Sequence, residues 1–140
     1  MTTIQTIFKR HAIQVPIDLQ GEIEVPVLSG TQRQGDIFIL PRQPMTKGEL
    51  ELAVQVPKIG LSVVVGEATG NAHMLSPEPG SKMVFLRKSS GLILGVFQIF
   101  GRKPGWMIHT DEHGANGFVP GCYTIHGKRE QREEIERVQD

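Results

Sequence analysis

One cysteine, Cys122, in 140 residues excludes an intrachain disulfide, and nothing argues for an oxidising compartment. Long apolar runs are missing too. The longest, residues 92–100, is interrupted by Gly95 and Gln98 and falls well short of the ~20 residues a membrane helix needs. Residues 1–14 carry Lys9, Arg10 and His11 and hold no apolar stretch of the signal-peptide kind, so a cytoplasmic setting without membrane contact is the expectation. Charge of one sign is also lacking. Fifteen Lys and Arg balance fifteen Asp and Glu, so no whole-chain field draws in nucleic acid or anionic lipid. With six Phe, one Trp and one Tyr, aromatics are too few to line a base-stacking groove.

What is plentiful is turn chemistry. Sixteen Gly and nine Pro are spread along the whole chain, which favours many short strands over long helices. The length suits one domain spanning residues 1–140. Residues 49–56 alternate, with Leu50, Leu52, Val54 and Val56 on one side, and read as the clearest strand. Residues 22–27 alternate likewise, and Pro26 consigns that strand to an edge or a bulge. Uniformly apolar runs at 37–40, 61–65, 83–86, 92–100, 106–108 and 122–125 suit buried strands. Weaker strand candidates lie at 4–8 and 12–15. Residues 87–91 and 101–105 read as hairpin connections on either side of the 92–100 strand. Four Val-Pro pairs (15–16, 25–26, 56–57 and 119–120) mark strand ends or edges.

The termini differ from the middle. Residues 1–30 alternate polar and apolar groups without a clear place in the core, as an arm would. Residues 128–140 are almost all charged. Ile135 and Val138 are three apart and Glu133 precedes Arg137 by four, so residues 131–138 read as a short C-terminal helix, with a solvated tail as the alternative.

Two constellations carry polar chemistry. Gly66-Glu67-Ala68-Thr69-Gly70-Asn71-Ala72-His73 has the glycines of a phosphate loop but no lysine after them. It reads as a Gly-rich turn, or as a loop offering Glu67, Thr69 and His73 to a ligand or metal. His109-Thr110-Asp111-Glu112-His113 opens a Gly/Asn-rich loop; imidazole and carboxylate are ordinary ligands of divalent metals, although loop residues of these types mostly meet water. The candidate metal ligands are therefore His73, His109, His113 and Glu67. Cys122 and His126 share a strand face but lie ~13 Å apart at ~3.3 Å per residue, so they form no nucleophile–base pair. The basic pairs Arg87-Lys88 and Arg102-Lys103 flank one strand at opposite ends and make no single patch.

From Gln34 onward, about three-quarters of the chain, the sequence resembles a family of small, functionally uncharacterised proteins of phage genomes and bacterial chromosomes. The resemblance rests on Gly66 through His73, on His113-Gly114, on Pro120-Gly121-Cys122-Tyr123 and on Arg129-Glu130-Gln131. The family segment runs G-E-x-T-G-H-A-H, and Asn71 stands here where its first histidine would be. The resemblance implies no activity.

The expected fold is all-β: a single small barrel or sandwich of about eight to ten short strands closed by a short C-terminal helix. The expected function is that of a non-enzymatic structural or interaction protein acting as a homo-oligomer, of phage-particle or assembly type, cytoplasmic or virion-associated. Two other classes stand beside it. One is a metal-dependent, cupin-like enzyme or metal-binding β-barrel holding one divalent transition metal. The other is a ligand- or nucleic-acid-binding module, which needs a basic or aromatic groove.

Overall fold

The computed structural model describes residues 2–11, 24–65, 72–88, 93–109 and 114–127. The chain opens with helix α1 (Ile4–Arg10) and continues through β1 (Val27–Leu28), β2 (Gln32–Gln34) and β3 (Ile37–Arg42). Helix α2 (Lys47–Leu52) and β4 (Val54–Gln55) follow. Then come β5 (Leu61–Val65), β6 (Ala72–Pro77), β7 (Lys82–Arg87), β8 (Ile93–Phe100), β9 (Gly105–His109), β10 (Gly114–Phe118) and β11 (Gly121–His126). The strands form two sheets, one ordered β1-β10-β9-β6-β5 and the other β2-β3-β11-β8-β7-β4. Each sheet keeps two edges, so the architecture is a sandwich and not a closed barrel. No helix among the described residues is long and apolar enough to cross a membrane.

The space between the sheets is filled from both sides. Phe97 stacks on Tyr123 at 5.2 Å, and Phe118 meets both edge-on at 5.4 and 5.2 Å. Ile37, Ile39, Leu75, Met83, Met107 and Ile125 complete this core, all essentially without solvent contact. The uniformly apolar runs at 37–40, 61–65, 83–86, 106–108 and 122–125 are all strands, as expected, because most of them are covered on both faces. Strand β9 is buried at every residue. One face looks into the core; on the other, Trp106 and Ile108 lie under α1.

Helix α1 replaces the strand expected at 4–8. Thr3 caps it by accepting from the Thr6 N–H, and the i, i+3, i+4 spacing of Ile4, Ile7 and Phe8 faces Trp106 and Ile108. A seven-residue helix is marginal alone. Burying Ile7 and Phe8 completely contributes roughly 1.5–3 kcal/mol each. Arg10 adds a two-pronged contact to Glu78 at 3.1 and 3.2 Å, and Trp106 Nε1–H donates to the same carboxylate at 2.8 Å. Residue 3 also bridges Glu24, and Val25 donates its N–H to Thr2. The described part of the expected arm thus packs on its own sheet.

The strand expected at 49–56 is the largest correction. Thr46-Lys47-Gly48-Glu49 is a capping box: the Glu49 N–H donates to the Thr46 hydroxyl and the Thr46 N–H to the Glu49 carboxylate. Arg42 grips the other side of Glu49 at 2.8 and 3.1 Å. These contacts wind residues 47–52 into α2, and only β4 remains extended. Of the four alternating aliphatics, Val56 alone reaches the core.

Three smaller expectations change as well. Residues 101–105 are no hairpin connection, because β8 and β9 belong to different sheets. Residues 114–118, read as loop, are strand β10, and Ala72-His73, read as loop, opens β6. Of the edge strand expected at 22–27, residues 22 and 23 lie outside the described residues, Glu24 forms only an isolated bridge to Thr3, and Val27 alone is strand, as the first residue of the edge strand β1. The candidates at 12–15 and the C-terminal helix at 131–138 lie outside the described residues.

Candidate functional site

A row of buried polar side chains closes one side of the sandwich. The hairpin β2–β3 turns in two residues, Gly35-Asp36, with Gly35 at φ +57°. This aims Gln32 and Gln34 inward across the gap to the first sheet, while Arg33 between them faces solvent. Gln32 Nε2–H donates to the Gly117 carbonyl at 2.8 Å, and Gln34 Nε2–H donates to the Met107 carbonyl at 2.7 Å. Asn116 links the two glutamines. Its Nδ2 donates to Gln32 Oε1 at 3.0 Å and to the Arg33 carbonyl at 3.2 Å, and its Oδ1 accepts from Gln34 Nε2 at 2.9 Å.

The row ends at a histidine pair. His73 and His109 are direct partners across β6 and β9, their rings parallel to within 3° and 4.3 Å apart. Both are 6 % exposed. His73 Nδ1 lies 2.8 Å from Gln34 Oε1. Backbone carbonyls can only accept, so Met107, Arg33 and Gly117 fix which end of each amide carries nitrogen. Both Gln34 N–H groups are committed, so Gln34 Oε1 must accept and His73 Nδ1–H must donate. The His73 lone pair therefore sits on Nε2. Burial, and next the neighbouring His109, push the His73 pKa down to about 4, with Asp36 opposing; the ring is neutral near pH 7.

Two of the four expected metal ligands thus come together from segments far apart in the chain. The other two, Glu67 and His113, lie outside the described residues. Among the described residues no group of three or more His, Cys, Asp or Glu side chains is placed to hold a metal. In parallel planes, moreover, the two imidazole lone pairs run side by side and do not converge.

Other candidates resolve into structural roles. His11 Nδ1–H donates to the Ile59 carbonyl at 2.8 Å and Nε2 accepts from the Ser76 hydroxyl at 2.8 Å, with burial lowering its pKa. Cys122 is buried with Met45, Val84 and Val96, and burial pushes its thiol pKa up, so it is a small core residue and not a nucleophile. His126 shares its face but touches Thr124 at 3.1 Å. Arg87 and Lys88 lie where β8 begins, beside Gly95 and Leu94, and Arg102 and Lys103 follow its far end. Gln32, Gln34 and Asn116 were missed by sequence reasoning, which sends polar residues outward; only the strand pairing shows them facing in.

The family described as "Domain of unknown function (DUF8820)" matches residues 33–128, and the chain belongs to it. The matched span holds Gln34, His73, His109 and Asn116 and leaves α1 and β1 outside. No curated protein and no solved structure matches the chain.

Proposed function

We propose that this member of the DUF8820 family is a non-enzymatic interaction protein that works as a homo-oligomer. Its docking surface is the apolar strip formed by α2, β4 and the turn after it. The observation that carries this reading is that α2 buries none of its residues. Leu50, Leu52, Val54 and Ile59 stand 39, 74, 54 and 79 % exposed over ten consecutive residues. Isolated exposed aliphatics are ordinary, but four exposed aliphatics within ten residues beside an edge strand are the raw material of a contact surface.

The contact is made by side chains and not by extending the sheet. Val56 gives its N–H to Met83 at 2.8 Å, so alternation turns the Gln55 N–H outward, and Pro57 has none to offer. One outward N–H cannot template a strand. Lys47, Glu51 and Lys58 rim the strip with both signs of charge, and the whole chain is electrically balanced, which suits contact with a second copy. The resemblance to small proteins of phage genomes supports a particle or assembly setting, by analogy alone. The equal numbers of basic and acidic residues in the sequence speak against nucleic acid as the partner.

Sedimentation velocity over the micromolar range tests the reading. The wild-type chain is expected to exceed its 15.5 kDa monomer mass as concentration rises. The Leu52→Asp, Val54→Asp double variant is expected to stay monomeric with an unchanged melting temperature. A wild-type monomer at every concentration overturns it.

A further inference from the structure

One end of the sandwich is basic. Residues 57–60, 78–81 and 101–104 connect strands at that end, and α1 stops beside them. Contacts join these pieces into one surface. Arg10 reaches Glu78, His11 Nδ1–H donates to the Ile59 carbonyl, and Lys103 Nζ donates to the Pro79 carbonyl at 3.0 Å. Lys82 opens β7 at the same end and lays its Nζ over the Phe100 ring, 5.4 Å from the centroid. Lys9, Lys58, Lys82, Arg102 and Lys103 are all exposed. Among the described residues Glu78 is the one carboxylate on these connections and on α1, and Arg10 and the Trp106 N–H already hold it. The other connections of this end, residues 29–31, 43–46 and 119–120, add no acid.

Six cations against one anion here leave the rest of the balanced chain with nine against fourteen. The opposite end lies roughly 23 Å away along β8 at ~3.3 Å per residue, nearly three of the ~8 Å lengths over which physiological salt screens a charge. A partner arriving at this end therefore meets its cations and not the balance of the whole chain. We propose that this end is a docking surface for an acidic polypeptide segment of another protein. Bases of a nucleic acid would find no ring to stack on, because Phe100 already lies under Lys82 and Trp106 is 1 % exposed. Exposed Pro57 and Pro79 stand among the cations instead and offer apolar contact to polypeptide side chains. The inference goes beyond the self-association reading and does not depend on it.

Fluorescence anisotropy of the full chain with a short labelled peptide of glutamates and leucines is the test. A lysine–leucine peptide and a single-stranded oligothymidylate are the comparison probes. The glutamate–leucine peptide is expected to bind and the lysine–leucine peptide is not. Affinity is expected to fall about tenfold or more between low salt and about 0.5 M salt. The Lys82→Glu, Arg102→Glu double variant is expected to weaken binding about tenfold with an unchanged melting temperature. Arg33→Glu, beside the Gly35 turn at the opposite end, is expected to change it by less than about twofold. Neither Lys82 nor Arg102 belongs to the apolar strip, so sedimentation of the double variant still reports self-association separately. No binding of the glutamate–leucine peptide at low salt, equal weakening by Arg33→Glu, or tighter binding of the oligothymidylate each overturns the proposal.

Discussion

Acid should loosen this fold through His73. The unfolded chain takes up the His73 proton near the ordinary 6.5, whereas burial beside His109 holds the folded ring neutral down to about 4. Between those values the unfolded state binds the proton and the folded state does not. Stability from this residue is whole above about pH 6.5 and drains away as pH falls toward 4. At ~1.4 kcal/mol for each tenfold change in proton affinity, the loss amounts to about 3 kcal/mol. That is a large fraction of the ~5–15 kcal/mol a domain commonly has. The assay is urea unfolding with chelator present, at about pH 7.5 and again near pH 4.5, on the wild type and on His73→Gln. His11 and His126, also lowered by burial, drain stability in the same direction. The measured quantity is therefore the difference between the two proteins. The wild type should lose roughly 2–3 kcal/mol more than the variant. Parallel pH dependence in the two would refute the reasoning.

Further predictions rest on other contacts. Gly117→Ala would set a Cβ 2.6 Å from the Pro26 carbonyl oxygen, a backbone atom that cannot swing aside; thermal unfolding should show a loss of about 1–3 kcal/mol. Glu49→Ala removes half of the capping box and the Arg42 contact, and should cost about 1–2 kcal/mol in urea unfolding. Its carboxyl, held down to about 2 chiefly by the Arg42 hydrogen bond, keeps that contribution above pH 4.5 and loses it only as pH falls toward 2. Phe97→Ala, between Phe118 and Tyr123, should cost about 3–5 kcal/mol. The Cys122 thiol should react with a disulfide reagent only after denaturant is added, and immediate reaction in buffer would contradict its burial.

Much of the sandwich was legible in the sequence because most of its strands are covered on two faces and so read as plain apolar runs. The misreadings cluster where local chemistry and pattern disagree. Residues 49–56 alternate like a strand, but the Thr46–Glu49 box and the Arg42 grip decide the backbone, and the alternation survives as exposed aliphatics. Strands β2 and β10 carry almost no aliphatic side chains, and their pairing with β3 and β9 is a tertiary fact. In the candidate site, His73 and His109 stood out by residue type alone. Their juxtaposition depends on the β6–β9 register, and Gln34 depends on the two-residue turn that aims it inward. No local pattern encodes either.

Hydrogen exchange followed by mass spectrometry, at low and high protein concentration, tests the self-association claim most directly. Residues 47–59 should gain protection as concentration rises, while residues 24–28 at the opposite edge should not. Exchange in residues 47–59 that is independent of concentration, or protection appearing elsewhere while 47–59 stays open, would contradict the account.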